Sequence, residues 1–178
     1  MIATALPMNE EPLTTSHVGL LSSSRLRVPR RASVSASLLS GTRSLGTLTL
    51  PSGTRLYIEG GPDAPNWVPQ LLAQVCQLVE LPQDWDSYGA PPVREAAVLG
   101  ALELLAQVIT GSSSPPQIVP TSQGGLQLEW HQGGVDLEVE VLGPGATGVY
   151  YLNSRTGVEW ESTDVDNPSI AELVPRIH

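Results

Sequence analysis

Between Gly124 and Val141 the chain reads GGLQLEWHQGGVDLEVEV, with apolar and polar residues alternating on both sides of a glycine pair. A period of two is the pattern of a strand with one covered and one wet face. Gly133-Gly134 can supply the positive φ angles of a tight primed turn, so the stretch predicts a β-hairpin. With a two-residue loop Gln132 faces Val135, and the register then runs outward. Trp130 meets Leu137 and Leu128 meets Val139 on one face. His131 meets Asp136, Glu129 meets Glu138 and Gln127 meets Glu140 on the other. A slip by one residue would turn every apolar set toward water, which fixes the register.

The same reading extends along the chain. TGVYYLN at 147–153 and GVEWES at 157–162 alternate like two further strands, joined across Ser154–Gly157. Ile118-Val119 is a short strand stopped by Pro120, giving a meander of four to five strands. TLTLPSGTRLYIEG predicts an earlier hairpin with Leu48, Leu50, Leu56 and Ile58 on one face. Helical spacing of Leu71, Leu72, Val75, Leu78 and Val79 predicts a helix over 66–81, capped by Asn66. A second helix is predicted over 93–109, with Pro91-Pro92 at its entrance and Gly111 past its end. Small residues in its first half, Ala97, Gly100 and Ala101, let it approach the sheet closely. Asn167 heads a short last helix over 168–176. Together these predict an α+β fold, a two-layer sandwich with an antiparallel β-meander packed on two helices. Residues 1–44, rich in Ser, Pro and Arg without a sustained apolar period, are expected to be disordered, and 45–178 to form one domain.

Charge narrows the partners. Residues 1–62 hold six Arg and three Glu, a net +3, whereas 63–178 hold three Arg and fifteen acids, a net −12. An acidic body argues against nucleic acid, whose phosphates need a positive footprint, and suits a basic protein. Lys and Phe are absent, so all nine basic residues are arginines, as in a GC-rich genome. Cys76 is the single cysteine, which excludes an internal disulfide. It lies in the apolar run LLAQVCQLV, where a buried, inert thiol is expected. No apolar run is long enough to span a bilayer, and no secretory signal pattern opens the chain. Residues 22–44 resemble a transit peptide in composition, but the preceding Glu10 and Glu11 fit that poorly. The expectation is a bacterial, cytoplasmic protein.

Two segments concentrate polar and aromatic side chains. LPQDWDSYGAPPV, residues 81–93, sets Asp84, Trp85, Asp86, Ser87 and Tyr88 in consecutive positions. As a structural loop, Asp86 makes an Asx-turn, Gly89 turns left-handed, and Trp85 and Tyr88 plug the open end of the sandwich. As a recognition loop, the aromatics beside carboxylates form a hot spot. The cluster Glu129, His131, Asp136 and Glu138 has three readings. It is a cross-strand pair on a wet surface, a docking face for a basic partner, or a ligand set for a divalent metal. Ser87 lacks the surroundings of a nucleophile, and GGPDAP and GPGATG are turns rather than phosphate-binding loops.

Three strings, DWDSYGAPPV, IVPTSQGGLQLEWH and GVDLEVEV, resemble a family of small bacterial proteins. That family shares a W-D-S/G-Y-G-A segment and a G-G-L/V-Q-L-E-W-H hairpin. The similarity covers about residues 82–162 and leaves residues 1–60 outside it. It implies a stand-alone domain and no particular activity, and it singles out Trp85, Asp86, Tyr88, Gly89, Gln127, Glu129, Trp130, His131, Asp136, Glu138 and Glu140.

The leading expectation is therefore a non-enzymatic interaction module of the antitoxin, immunity or adaptor kind, requiring no cofactor. Trp85, Asp86, Tyr88, Glu129, His131, Asp136, Glu138 and Glu140 would contact a basic partner. The alternative is a metal-dependent hydrolase with His131, Asp136 and Glu129 as ligands or acid/base groups. A third reading buries the acidic face by self-association into a homo-oligomer.

Overall fold

A computed structural model describes residues 15–20, 41–144, 146–163, 167–174 and 177. In chain order the elements are β1 (Thr15–Leu20), β2 (Arg43–Thr49), β3 (Arg55–Gly60), α1 (Val68–Val79) and α2 (Glu95–Val108). They continue with β4 (Gln117–Pro120), β5 (Leu126–Gln132), β6 (Val135–Gly143), β7 (Ala146–Asn153), β8 (Val158–Ser162) and α3 (Asn167–Leu173).

The five strands β4 to β8 form an antiparallel meander in sequence order. Gly133 and Gly134 both take positive φ, at 65° and 78°, and the β5–β6 register is the one the alternation dictates. Leu126, Leu128, Leu137 and Val139 are fully buried and Trp130 nearly so. Burying each such side chain contributes about 1.5–3 kcal/mol. The Trp130 indole N–H donates to the Ser114 carbonyl at 3.2 Å, so its one polar atom is satisfied.

The helices cover this apolar face, as the α+β sandwich requires. α2 is closest at Gly100, where an added Cβ would stand 2.7 Å from the Gly143 carbonyl oxygen and 2.9 Å from Val141. Only a residue without a side chain permits that approach. α2 is apolar nearly all round, which marks a helix enclosed on more than one side. Its Leu102 and Leu105 turn toward Val68, Leu71 and Leu72 of α1 and Ile58 of β3. The N-terminal hairpin β2–β3 thus packs against the helices, with Leu48, Leu50, Leu56 and Ile58 buried as expected.

Several details depart from the sequence reading. Asn66 does not cap α1: Trp67 holds that position with helical backbone and no side-chain cap. The Asn66 side-chain oxygen instead accepts from the Arg43 guanidinium at 3.3 Å, and the Trp67 indole donates to the Ser113 carbonyl at 2.9 Å. Cys76 is half-buried rather than buried. Burial, then the nearby Glu80 carboxylate, pushes its thiol pKa up, which keeps it protonated. β1 and the start of β2 fall within residues 1–44, the stretch expected to lack order. β1 pairs parallel with β3, so the smaller sheet has the order β1-β3-β2. The rest of that expectation, on residues 1–14 and 21–40, lies outside the described residues. No helix among the described residues is long and apolar enough to cross a membrane.

Candidate functional site: an acidic sheet face and a tethered loop

The face of the meander away from the helices collects the polar half of each strand. Across it, Gln117, Glu129, Glu138, Tyr150 and Glu161 are successive register partners. His131, Asp136, Leu152 and Glu159 form the next row, and Gln127 with Glu140 the row on the other side. Six carboxylates, those of Glu129, Asp136, Glu138, Glu140, Glu159 and Glu161, therefore share one face. The alternation in GVEWES puts Glu159 and Glu161 on one face of β8, and the β6–β7–β8 register joins them to the cluster.

A hydrogen-bonded chain runs through its centre. His131 Nδ1 lies 2.8 Å from Asp136 Oδ1, and Nε2 lies 3.4 Å from Glu129 Oε2. The hydrogen bond to Asp136 is the main reason that the imidazole pKa is raised, with Glu129 adding to it. When protonated, the ring donates from both nitrogens and so serves both carboxylates. Gln127 contributes a link the sequence reading missed. Its amide nitrogen donates to Glu129 Oε1 at 3.0 Å and to Glu138 Oε2 at 2.9 Å. The two glutamates stand directly opposite each other in the register, and one neutral amide holds both. At the far edge the Tyr150 hydroxyl donates to Glu159 at 3.1 Å, which pushes the phenol pKa up.

This arrangement bears on the metal reading. Both nitrogens of His131 already face carboxylates, Nδ1 toward Asp136 and Nε2 toward Glu129. Among the described residues no three His, Cys, Asp or Glu side chains converge as a ligand set. The residues named for the hydrolase, His131, Asp136 and Glu129, thus form a hydrogen-bonded line along a sheet face rather than a cage.

The loop 81–93 is built differently. Asp84 and Ser87 carry positive φ, 65° and 64°, and Gly89 follows at 92°. Asp84 Oδ1 accepts the Gly89 N–H at 2.7 Å, and the Asp84 N–H donates to the Ala90 carbonyl at 2.8 Å. Asp86 Oδ1 accepts the N–H groups of Tyr88 at 2.9 Å and Ala90 at 3.0 Å, the expected Asx-turn with an added bond. These backbone donors, that of Tyr88 first, hold the Asp86 pKa below the ordinary carboxylate value. The Trp85 indole donates to the Pro91 carbonyl at 3.2 Å, and its ring is half-buried. Tyr88 corrects the expectation of a plug: it is 94% exposed. The loop's lock is its hydrogen bonding, and the tyrosine ring stands in solvent.

The eight predicted contact residues therefore separate into two groups. Glu129, His131, Asp136 and Glu138 belong to one connected chain, with Glu140 half-buried beside it opposite Gln127. Trp85, Asp86 and Tyr88 belong to the loop, which is fastened to the β4–β5 turn. There the Arg94 N–H donates to the Gly124 carbonyl at 3.0 Å, and the Arg94 guanidinium donates to the Gln123 carbonyl. That turn is the end of β5 remote from His131.

Comparison of the chain with family models, with curated proteins and with solved structures returned no match.

Proposed function

We propose that this protein is a non-enzymatic interaction module whose acidic sheet face docks a basic protein partner, in the manner of an antitoxin, immunity protein or adaptor in the bacterial cytoplasm. One observation carries the reading. Among the described residues six carboxylates line one sheet face, and the side chains hydrogen-bonded to them there are one imidazole and the neutral donors Gln127 and Tyr150. Each carboxylate oxygen offered to solvent can accept a guanidinium or ammonium hydrogen bond. A field of one sign also steers an oppositely charged partner to this face.

The test is binding of a synthetic peptide alternating Arg and Val, followed by fluorescence anisotropy at low ionic strength. Replacing Glu138 and Glu140 with Arg is expected to weaken binding by about tenfold or more. Glu80→Arg, at the end of α1 and off this face, is expected to leave it unchanged. Equal loss in both variants would mean that only net charge is being read, and the docking face would be refuted.

A further inference from the structure

The two edges of the five-stranded sheet differ. β4 is short, is preceded by Pro115 and Pro116, and ends on Pro120. Proline has no N–H to give, so this edge is blunted against further pairing. β8 closes the other side of the sheet and contains no proline. Next to this edge the covered face is incompletely covered. Val158 is 49% exposed, and Trp160, stacked on Tyr151 at 5.5 Å between ring centres, is only half-buried. On the wet side of the same strand Glu159 and Glu161 are exposed. Among the described residues Val158–Glu161 of β8 thus offer backbone ladder groups, two apolar side chains on one face and two carboxylates on the other.

We infer that β8 is an acceptor edge. The partner's contact segment is an extended strand alternating basic and apolar residues, which adds beside β8 as the next strand of the sheet. Its apolar residues extend the cover over Val158 and Trp160, and its basic residues lie across Glu159 and Glu161. A second copy of this chain is a poorer occupant. Antiparallel pairing of two β8 strands centred on Trp160 would set Glu159 of each against Glu161 of the other, and directly opposed like charges destabilise a sheet. The inference rests on the basic-partner reading above and specifies how the partner is held.

The test uses the full chain and the Arg/Val peptide in two versions, N-methylated on the Arg residues or on the Val residues. Each version keeps the charges and removes the N–H groups from one edge of the strand. An added strand turns one edge to β8, so the two versions are expected to differ in affinity by about tenfold. Hydrogen exchange is expected to slow at residues 158–161 when unmethylated peptide is bound. If both versions bind as well as the parent, or if exchange slows only at β4, the edge inference is overturned while the docking face stands. If no version binds, both fall. If residues 158–161 become protected in concentrated protein without peptide, the edge belongs to a second copy, and the inference is likewise overturned.

Discussion

The hairpin of β5 and β6 and the loop from Asp84 to Gly89 use the same ingredients, aromatics beside carboxylates, in opposite arrangements. In the hairpin Trp130 is buried, and the carboxylates are held by other side chains, His131 and Gln127. In the loop Tyr88 is exposed, and the carboxylates are held by backbone N–H groups. A carboxylate that fastens backbone is committed to the fold. One that leans on a neighbouring side chain can exchange that neighbour for a partner's. On the proposed reading the sheet face is therefore the better candidate for docking, and the loop carboxylates are taken up by the loop's own backbone.

The largest expected contrast is between the aromatics. Trp130→Ala should lower stability by about 3–5 kcal/mol, because it leaves a cavity under β5. Tyr88→Ala should change it by less than about 0.5 kcal/mol, as at an exposed surface position. Chemical denaturation of the two variants measures both. A comparable loss at Tyr88 would break the comparison, since its ring would then be packed.

Gln127→Glu comes next. It exchanges the donor between Glu129 and Glu138 for a third carboxylate and is expected to cost about 1–2 kcal/mol at low salt, shrinking as salt screens the repulsion. A variant as stable as the parent would show that the amide bridge does nothing. In the loop, Ser87→Gly should be slightly stabilising, by up to about 1 kcal/mol, because glycine occupies positive φ without a Cβ penalty. Destabilisation instead would mean that the Ser87 side chain contributes to the loop's rigidity.

The pH dependences should have opposite signs. His131 has a raised pKa when folded, so its contribution is full below about pH 6.5, the unfolded value. It is lost as pH rises through the folded value. The group is well exposed, so the effect should stay below about 1 kcal/mol. Asp86 has a lowered pKa when folded, so its contribution is present above the ordinary carboxylate value and lost as pH falls through the folded one. Thermal melts of His131→Gln should flatten the alkaline limb alone, and Asp86→Asn the acid limb alone.

What was legible in the sequence follows from how local each determinant is. The β5–β6 register was readable because a two-glycine turn and strict alternation leave one pairing that keeps apolar residues together. The same alternation in β8 gave its faces. The Asx-turn at Asp86 and the left-handed Gly89 are set by residues within the loop. Tyr88's exposure was not readable, because whether a loop aromatic folds inward depends on the open end of the sandwich being reachable, a tertiary matter. Strand β1 was hidden because its pairing with β3 joins residues 40 apart in the register, without a turn to announce it. Gln127 passed as an ordinary wet-face residue. Only the side-chain geometry shows its amide reaching two glutamates at once, and Asn66 bonding Arg43 rather than capping α1 is the same kind of surprise.

The central claim is that the carboxylate face, through Glu138 and Glu140, is where a basic partner lands. Its most direct measurement is calorimetric titration of the Arg/Val peptide across a series of ionic strengths, into the native chain and into Glu138→Gln/Glu140→Gln. The account predicts affinity that falls steeply with salt for the native chain, with a weaker and flatter dependence for the double variant. Identical affinity and identical salt dependence in the two proteins would contradict it.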